Sequence, residues 1–188
     1  MKIGVIGAGH IGSTLGEKWK TAGHDVIYGT RNPHGPGTAS VVEAAAAAEV
    51  VVIAVPGPAA KEVLATLAPT LSGKVVIDAS NDMTSSGKLH SLDLAPDPLR
   101  VRAFNTLGWE NFAEPVVGGL QADLLYAAEE GRARDTAERL IADVGLRPVW
   151  LGGPDAFELC DSVTRLWFAL ALRRGLGRRL AFKVLTDE

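Results

Sequence analysis

The feature that most limits what this chain can become is a group of three glycines near its start, Gly7-Ala8-Gly9-His10-Ile11-Gly12. Before it, Lys2 to Ile6 is an apolar run that reads as a buried strand. After it, Ile11, Leu15 and Trp19 recur at i, i+4 and i+8, one face of a helix that Gly23 closes as a C-terminal cap. Val26 to Gly29 reads as a second strand. The pattern G-x-G-x-x-G is weak alone, but between a strand and a helix in a β-α-β unit it marks a dinucleotide site. Gly7 permits the tight turn, Gly9 lets the backbone approach a pyrophosphate, and Gly12 lets helix and strand pack closely. The helix start offers free N–H groups and a partial positive charge to the phosphates. His10 reads as a spacer whose backbone N–H faces phosphate, and Ile11 beside it counts with the turn among the cofactor-binding residues.

The second strand tells which dinucleotide. An NAD site places Asp or Glu at its end, to accept hydrogen bonds from the ribose 2′-hydroxyl. Here the strand is followed by Thr30, Arg31 and Asn32. A hydroxyl, a guanidinium and an amide can all donate to a 2′-phosphate, and a planar guanidinium can do so with two parallel bonds. The expected cofactor is therefore NADP(H). His34 lies close in sequence and reads as a solvated loop residue.

Strands and helices alternate through the rest of the chain. Helices are expected over Ser40 to Ala48, with Ser40 as N-cap, over Ala59 to Leu71, over Arg132 to Gly145 and over Phe157 to Arg174. In the third of these Asp135 can pair with Arg139 at i+4. Strands are expected over Glu49 to Val55, Lys74 to Ala79, Val101 to Asn105, Ala122 to Ala128 and Pro148 to Leu151. Residues 32–38 and 80–100 read as loop, the latter with one helical turn. Several strands are apolar without alternation, which predicts an α/β Rossmann fold, doubly wound, with a mostly parallel sheet covered by helices on both faces. The expected division is an NADP-binding unit over 1–152 and a C-terminal helical segment over 153–188 that completes the acceptor pocket, all within one compact domain.

Composition removes other classes. The 188 residues suffice for one domain that buries roughly 70% of its unfolded surface. A net charge of −3 favours neither nucleic acid nor a membrane surface. The apolar start is too short for a signal peptide and is broken by glycines. Glu43 and Glu49 interrupt the most apolar later stretch, so no membrane span is expected. The one cysteine, Cys160, sits in apolar sequence and reads as a buried, inert thiol, in keeping with a cytoplasmic location. The four histidines, His10, His24, His34 and His90, lack metal-ligand spacing, and no metal is expected. Neither Tyr28 nor Tyr126 is followed by lysine four residues on, which excludes the Tyr-x-x-x-Lys chemistry of short-chain dehydrogenases. The last helix holds no lysine of the kind β-hydroxyacid dehydrogenases use.

The segments Ile3–Gly12, Tyr28–Pro33 (YGTRNP), Ala54–Pro56, Asp78–Asn81, Arg102–Thr106 (RAFNT) and Arg147–Gly153 resemble the coenzyme F-420-dependent NADP oxidoreductases, a family that includes the reductase domain of STEAP metalloreductases. The resemblance spans nearly the whole chain. It implies direct hydride exchange between the nicotinamide and a deazaflavin, coenzyme F-420, with no catalytic acid or base in the protein. It also implies that Val55 and Pro56 lie by the nicotinamide ribose and Asn81 by the nicotinamide. Asn105 and Leu107 would line the deazaflavin side, with Ser162 and Thr164 as small polar residues of the pocket. Glu158 departs from the pattern, because family enzymes that use F-420 tend to carry arginine there.

The residues themselves leave the acceptor open. Hydride transfer needs orientation and exclusion of water more than a base. Phe104, Asn105, Thr106, Leu107 and Trp109 follow a strand end, where such sheets bind ligands. A deazaflavin, another acceptor (a flavin, an imine or a small carbonyl compound) and a non-catalytic NADPH sensor are all compatible with them. Around the last helix, Phe157, Leu159, Cys160, Val163, Leu166, Trp167, Phe168, Leu170 and Ala171 are apolar on more than one face, which predicts a twofold homodimer through it. Arg173, Arg174, Arg178 and Arg179 read as a solvated helix end or as a cradle for the anionic tail of F-420.

Overall fold

A computed structural model of the chain describes residues 1–94 and 99–187. Its centre is β1 (Lys2–Ile6), paired in parallel with β2 (Asp25–Thr30) on one side and β4 (Val50–Ile53) on the other. The chain winds outward both ways: β3 (Thr38–Ser40) extends the β2 side, while β5 (Val75–Asp78) and β6 (Leu99–Arg102) extend the β4 side. Two further strands, β9 (Asp123–Ala128) and β10 (Arg147–Trp150), complete an eight-stranded sheet of order β10-β9-β6-β5-β4-β1-β2-β3. Only β6 and β9 meet antiparallel; the other neighbours are parallel. A separate hairpin joins β7 (Val116–Val117) to β8 (Leu120–Gln121). This is the doubly wound Rossmann arrangement, with its switch point between β1 and β4.

Both faces of the sheet are buried, as the unbroken apolar strands require. Val50 and Val52 point into one core and Val51 and Ile53 into the other. The first core is filled by Leu15 and Trp19 of α1 (His10–Thr21), Phe112 of α4 (Trp109–Ala113) and Ala137, Leu140 and Ile141 of α5 (Arg132–Val144). Trp19 also donates its indole N–H to the Leu140 carbonyl at 3.0 Å, fixing α1 to α5. The second core is filled by Ala44 and Ala45 of α2 (Val41–Ala47) and Ala60, Leu64 and Leu67 of α3 (Gly57–Leu67). Ser40 caps α2 within a full capping box with Glu43. The last helix, α6 (Phe157–Phe168), reaches both cores, with Phe157 and Cys160 in the second and Trp167 in the first.

Several local expectations need correction. Asp135 and Arg139 do not pair; Arg134 meets Glu138 at 2.8 Å and Arg139 meets Asp143 at 3.9 Å instead. The strand expected over Val101–Asn105 lies at Leu99–Arg102, because Phe104 takes φ +61° and cannot continue it. The last helix is α-helical only to Phe168; Ala169–Arg173 forms a π turn before Gly175. Strand β3, helix α4 and the β7–β8 hairpin are further elements that no sequence period marks. The expected loop over 80–100 contains a short 3-10 turn at Leu92–Leu94, and its residues 95–98 lie outside the described residues. Arg178 and Arg179 do not form a free cradle. Arg178 bonds to Glu110, and Arg179 donates to the carbonyls of Glu110, Glu114 and Val116, tying the C-terminal segment to α4.

Candidate functional site

The glycine turn lies at the C-terminal end of β1, beside the switch point. Gly7 takes φ +106°, and a Cβ there would fall 2.6 Å from the Ala54 carbonyl oxygen. A Cβ on Gly12 would fall 2.0 Å from the Gly7 carbonyl oxygen. Both glycines are therefore demanded by the close passage of α1 over β1 and β4. Gly9 is different: a Cβ there would meet nothing within 4 Å. Gly9 caps α1 with no side-chain hydrogen bond, and the first turn carries no acidic residue. The leading N–H groups and the positive helix end are thus left for an anion in open space. The imidazole of His10 stacks on Trp109, with centroids 5.0 Å apart and planes at 14°, so its ring is engaged by α4. Ile11 packs against the first core. Val55 borders the turn, its Cγ1 3.0 Å from where a Gly7 Cβ would sit, and Pro56 is the N-cap of α3.

At the end of β2, the Thr30 hydroxyl is buried without a hydrogen-bond partner. A buried hydroxyl without a partner is costly, and a ligand oxygen would remove that cost. Arg31 and Asn32 are exposed beside it, and among the described residues Arg31 makes no ion pair. His34 is exposed in the same loop. The open cradle at Gly9, the orphaned Thr30 hydroxyl and the unpaired Arg31 fit a dinucleotide that carries a 2′-phosphate.

Further along the sheet edge, polar side chains form a buried network. Arg102, fully buried at the end of β6, donates to Asp161 of α6 at 2.9 Å. It also donates to the carbonyls of Asp78 and Ser80 at 2.9 and 2.6 Å, and to Asn81 Oδ1 at 2.8 Å. Asn81 Nδ2 in turn donates to the Asn105 carbonyl at 3.2 Å. Asn105 Nδ2 donates to the Thr164 hydroxyl at 2.9 Å, leaving Asn105 Oδ1 buried and without a partner. Asp161 also accepts from the Leu89 N–H at 2.8 Å, and Asp78 from the Ser91 N–H at 3.0 Å, which anchors the loop between them. Asn81, Asn105 and Thr164 are thereby brought together from the loop after β5, the loop after β6, and α6.

The other candidates do not join them. The Thr106 hydroxyl donates to the Leu125 carbonyl at 3.3 Å, and Leu107 packs in the first core. Ser162 is exposed and bonds back to the Glu158 carbonyl at 2.9 Å. Phe104 packs edge-on between Trp19 and Phe112. Glu158 lies 3.7 Å from Lys88. Burial pushes the Cys160 thiol up to about 12, so it is inert. Among the described residues no His, Cys, Asp or Glu group is arranged to hold a metal ion, and no helix is long and apolar enough to cross a membrane. Sequence reasoning missed the roles of Arg102 and Asp161. The available signal was an unexplained charge inside an apolar strand and another inside an apolar helix, which together imply a buried pair.

Residues 2–82 match the family described as coenzyme F-420-dependent NADP oxidoreductases. The metalloreductase STEAP3 of Rattus norvegicus is 28% identical over 167 residues, covering 80% of this chain and 34% of its own length. The chain thus spans about a third of that curated relative. Among solved structures, a candidate F-420-dependent NADP-reductase of Arthrobacter sp. FB24 superposes with a TM-score of 0.85 at 23% identity, covering 99% of this chain and 100% of that one. A reductive aminase of Aspergillus terreus, solved with NADPH and ethyl levulinate, gives 0.71 at 22% identity, over 93% of this chain and 62% of that one. The glycine turn, Thr30, Arg31 and Asn81 all fall inside the segment, residues 2–82, that is similar to the coenzyme F-420-dependent NADP oxidoreductase family.

Proposed function

We propose that this protein exchanges hydride directly between NADP(H) and a deazaflavin, coenzyme F-420. The observation that carries the NADP(H) part of the reading is the pairing of an open, uncapped glycine turn with an unpartnered Thr30 hydroxyl and Arg31 at the next strand end; the deazaflavin rests on the family resemblance. Gly7, Gly9, His10, Ile11 and Gly12 hold the pyrophosphate, while Thr30, Arg31 and Asn32 take the 2′-phosphate. Val55 and Pro56 border the nicotinamide ribose, and Asn81 the nicotinamide. NADPH supplies the hydride when bound.

The chain's own part is binding, orientation and exclusion of water. Asn105, whose Oδ1 is buried without a hydrogen-bond partner, is fixed by Thr164 and by Asn81, which Arg102 holds in turn. Thr106 and Leu107 support that loop from the core side. No general acid or base is required at this edge. The C-terminal segment 153–188 supplies Thr164 and completes the acceptor pocket. Leu159 and Leu166, each half exposed on α6, form the contact of a homodimer.

A second reading, reduction of an imine or small carbonyl compound by NADPH, is favoured by the likeness to the Aspergillus terreus reductive aminase. The test mixes the protein with NADPH and oxidised F-420 and follows loss of the deazaflavin absorbance, then repeats with free flavins and simple imines. Turnover with F-420 supports the first reading. Turnover with imines alone replaces it with the second. No oxidation of bound NADPH by any of them leaves a sensor.

A further inference from the structure

The glycine turn is anchored at both ends. On the strand side the Gly7 N–H donates to the Gly29 carbonyl of β2 at 3.0 Å, and on the helix side Ile11 packs in the first core. Between these anchors Ala8, Gly9 and His10 are all exposed, and Gly9 caps α1 without a side-chain bond. The Ser13 hydroxyl returns to the Gly9 carbonyl at 2.9 Å, but that contact lies within α1 and moves with it. Of the three exposed residues His10 alone has a side chain long enough to reach another element. Its imidazole is open to solvent yet lies almost parallel to the Trp109 indole, with centroids 5.0 Å apart and planes at 14°, within the range of stacked rings.

Trp109 is a firm platform for that ring. It opens α4 and packs against the first core. A helix of five residues cannot hold itself, and α4 is clamped from two sides. Phe112 is buried edge-on against Phe104 in the core. On the other side Asn111 donates to the Leu180 carbonyl at 2.9 Å, and Arg179 donates to the carbonyls of Glu110 and Glu114 at 2.9 and 2.7 Å. The Trp167 indole of α6 donates to the same Leu180 carbonyl at 2.9 Å, which fixes the C-terminal segment in turn. We infer that Trp109 is a positioning residue for cofactor binding: through its stack on His10 it holds the start of α1, and the N–H groups presented there, in the arrangement that receives the pyrophosphate. Gly9 makes the turn permissive as well as open. Without the stack the protein would bind only in the fraction of time that the turn spends in that arrangement, and affinity would fall by that fraction. This rests on the reading of the glycine turn as the pyrophosphate site, and adds to it a residue from outside the matched segment 2–82.

The test measures the dissociation constant of NADP⁺ by calorimetry on the parent, on Trp109→Leu and Trp109→Phe, on His10→Leu and His10→Phe, and on the double variant Trp109→Leu/His10→Leu. Each leucine variant should bind NADP⁺ about five-fold more weakly, within the worth of one aromatic pair. The double variant should be no weaker than either single one, because both substitutions remove the same stack. Each phenylalanine variant keeps a ring in place and should stay within about two-fold of the parent. Unchanged affinity in Trp109→Leu overturns the inference, and so do losses that multiply in the double variant. It is also overturned if His10→Phe is as weak as His10→Leu, since the imidazole itself would then serve the phosphate. Should Trp109→Leu fail to fold, the exposed His10 decides alone: a loss in His10→Leu that His10→Phe restores supports the inference, and any other result overturns it. A parent that does not bind NADP⁺ refutes the reading of the turn itself, and is told apart from a parent that binds and does not respond to loss of the stack.

Discussion

Arg102 and Asp161 meet at 2.8 Å with neither side chain exposed, joining the end of β6 to the middle of α6. Two charges this deep in a protein are costly to bury, and only their mutual attraction and further hydrogen bonds offset the cost. The guanidinium uses its remaining donors on the Asp78 and Ser80 carbonyls and on Asn81, so the pair also fixes the strand-end loop that the proposed acceptor site uses. Arg102→Met should strand Asp161 as a buried unpaired charge and cost about 3–5 kcal/mol in urea unfolding. The double variant Arg102→Met/Asp161→Leu should recover part of that loss. A single variant within 1 kcal/mol of the parent, by the same bound, would mean that the pair is not buried as described.

Asp123 gives the fold an acid sensitivity that can be placed. Burial raises its pKa, but hydrogen bonds from Arg147, from the Val184 N–H and from Lys183 outweigh it and hold the group below the usual carboxylate range. A folded-state pKa below the unfolded value stabilises the protein above that unfolded value, about 3.9, and the benefit is lost as pH falls through the folded pKa. Asp123→Asn should therefore be less stable than the parent by about 1–3 kcal/mol at pH 7. The gap should narrow below about pH 4. A gap that stayed constant from pH 7 to pH 3 would show that the charge contributes nothing.

The apolar outer face of α6 predicts association. Leu159 and Leu166 are each 50% exposed, one helical face apart from the buried Cys160, Thr164 and Trp167. Sedimentation at micromolar concentration should report twice the chain mass, and Leu159→Glu/Leu166→Glu should return it to a monomer. A parent protein that sediments as a monomer removes the dimer from the account.

Much of this was legible beforehand because it depends on local chemistry. Three glycines at fixed offsets, the absence of a carboxylate after β2 and the Ser40–Glu43 cap each have a mechanism that acts within a few residues. What escaped depends on tertiary context. The apolar run through Phe104 looks like strand, but Phe104 takes φ +61° and seats its ring between Trp19 and Phe112, contacts that no local pattern shows. The three-residue β3 and five-residue α4 are too short to show a period. Arg178 and Arg179 look free in sequence, and their partners on α4 and the β7 region lie more than 60 residues away. Ser162 and Thr164 look equivalent, yet they sit on opposite faces of α6, and only Thr164 reaches Asn105.

Gly9→Ala separates cofactor binding from folding. The new methyl group meets no protein atom within 4 Å, and Gly9 has φ −73°, which alanine adopts freely. The melting temperature should stay within about 2 °C of the parent, the shift expected from about 0.5–1 kcal/mol in a domain of this size. NADPH should bind at least about ten-fold more weakly, the equivalent of 1.4 kcal/mol, because the methyl occupies the approach to the pyrophosphate. Unchanged affinity would place the phosphates elsewhere.

Recognition of a 2′-phosphate at the end of β2 stands or falls with Arg31→Ala. Dissociation constants for NADPH and NADH are measured by fluorescence on the parent and the variant. The parent should prefer NADPH, and the variant should lose about 10- to 150-fold of that preference, the worth of one charge-assisted bond, with NADH affinity nearly unchanged. A parent that binds NADH as tightly as NADPH, or a preference that Arg31→Ala leaves intact, would contradict the account.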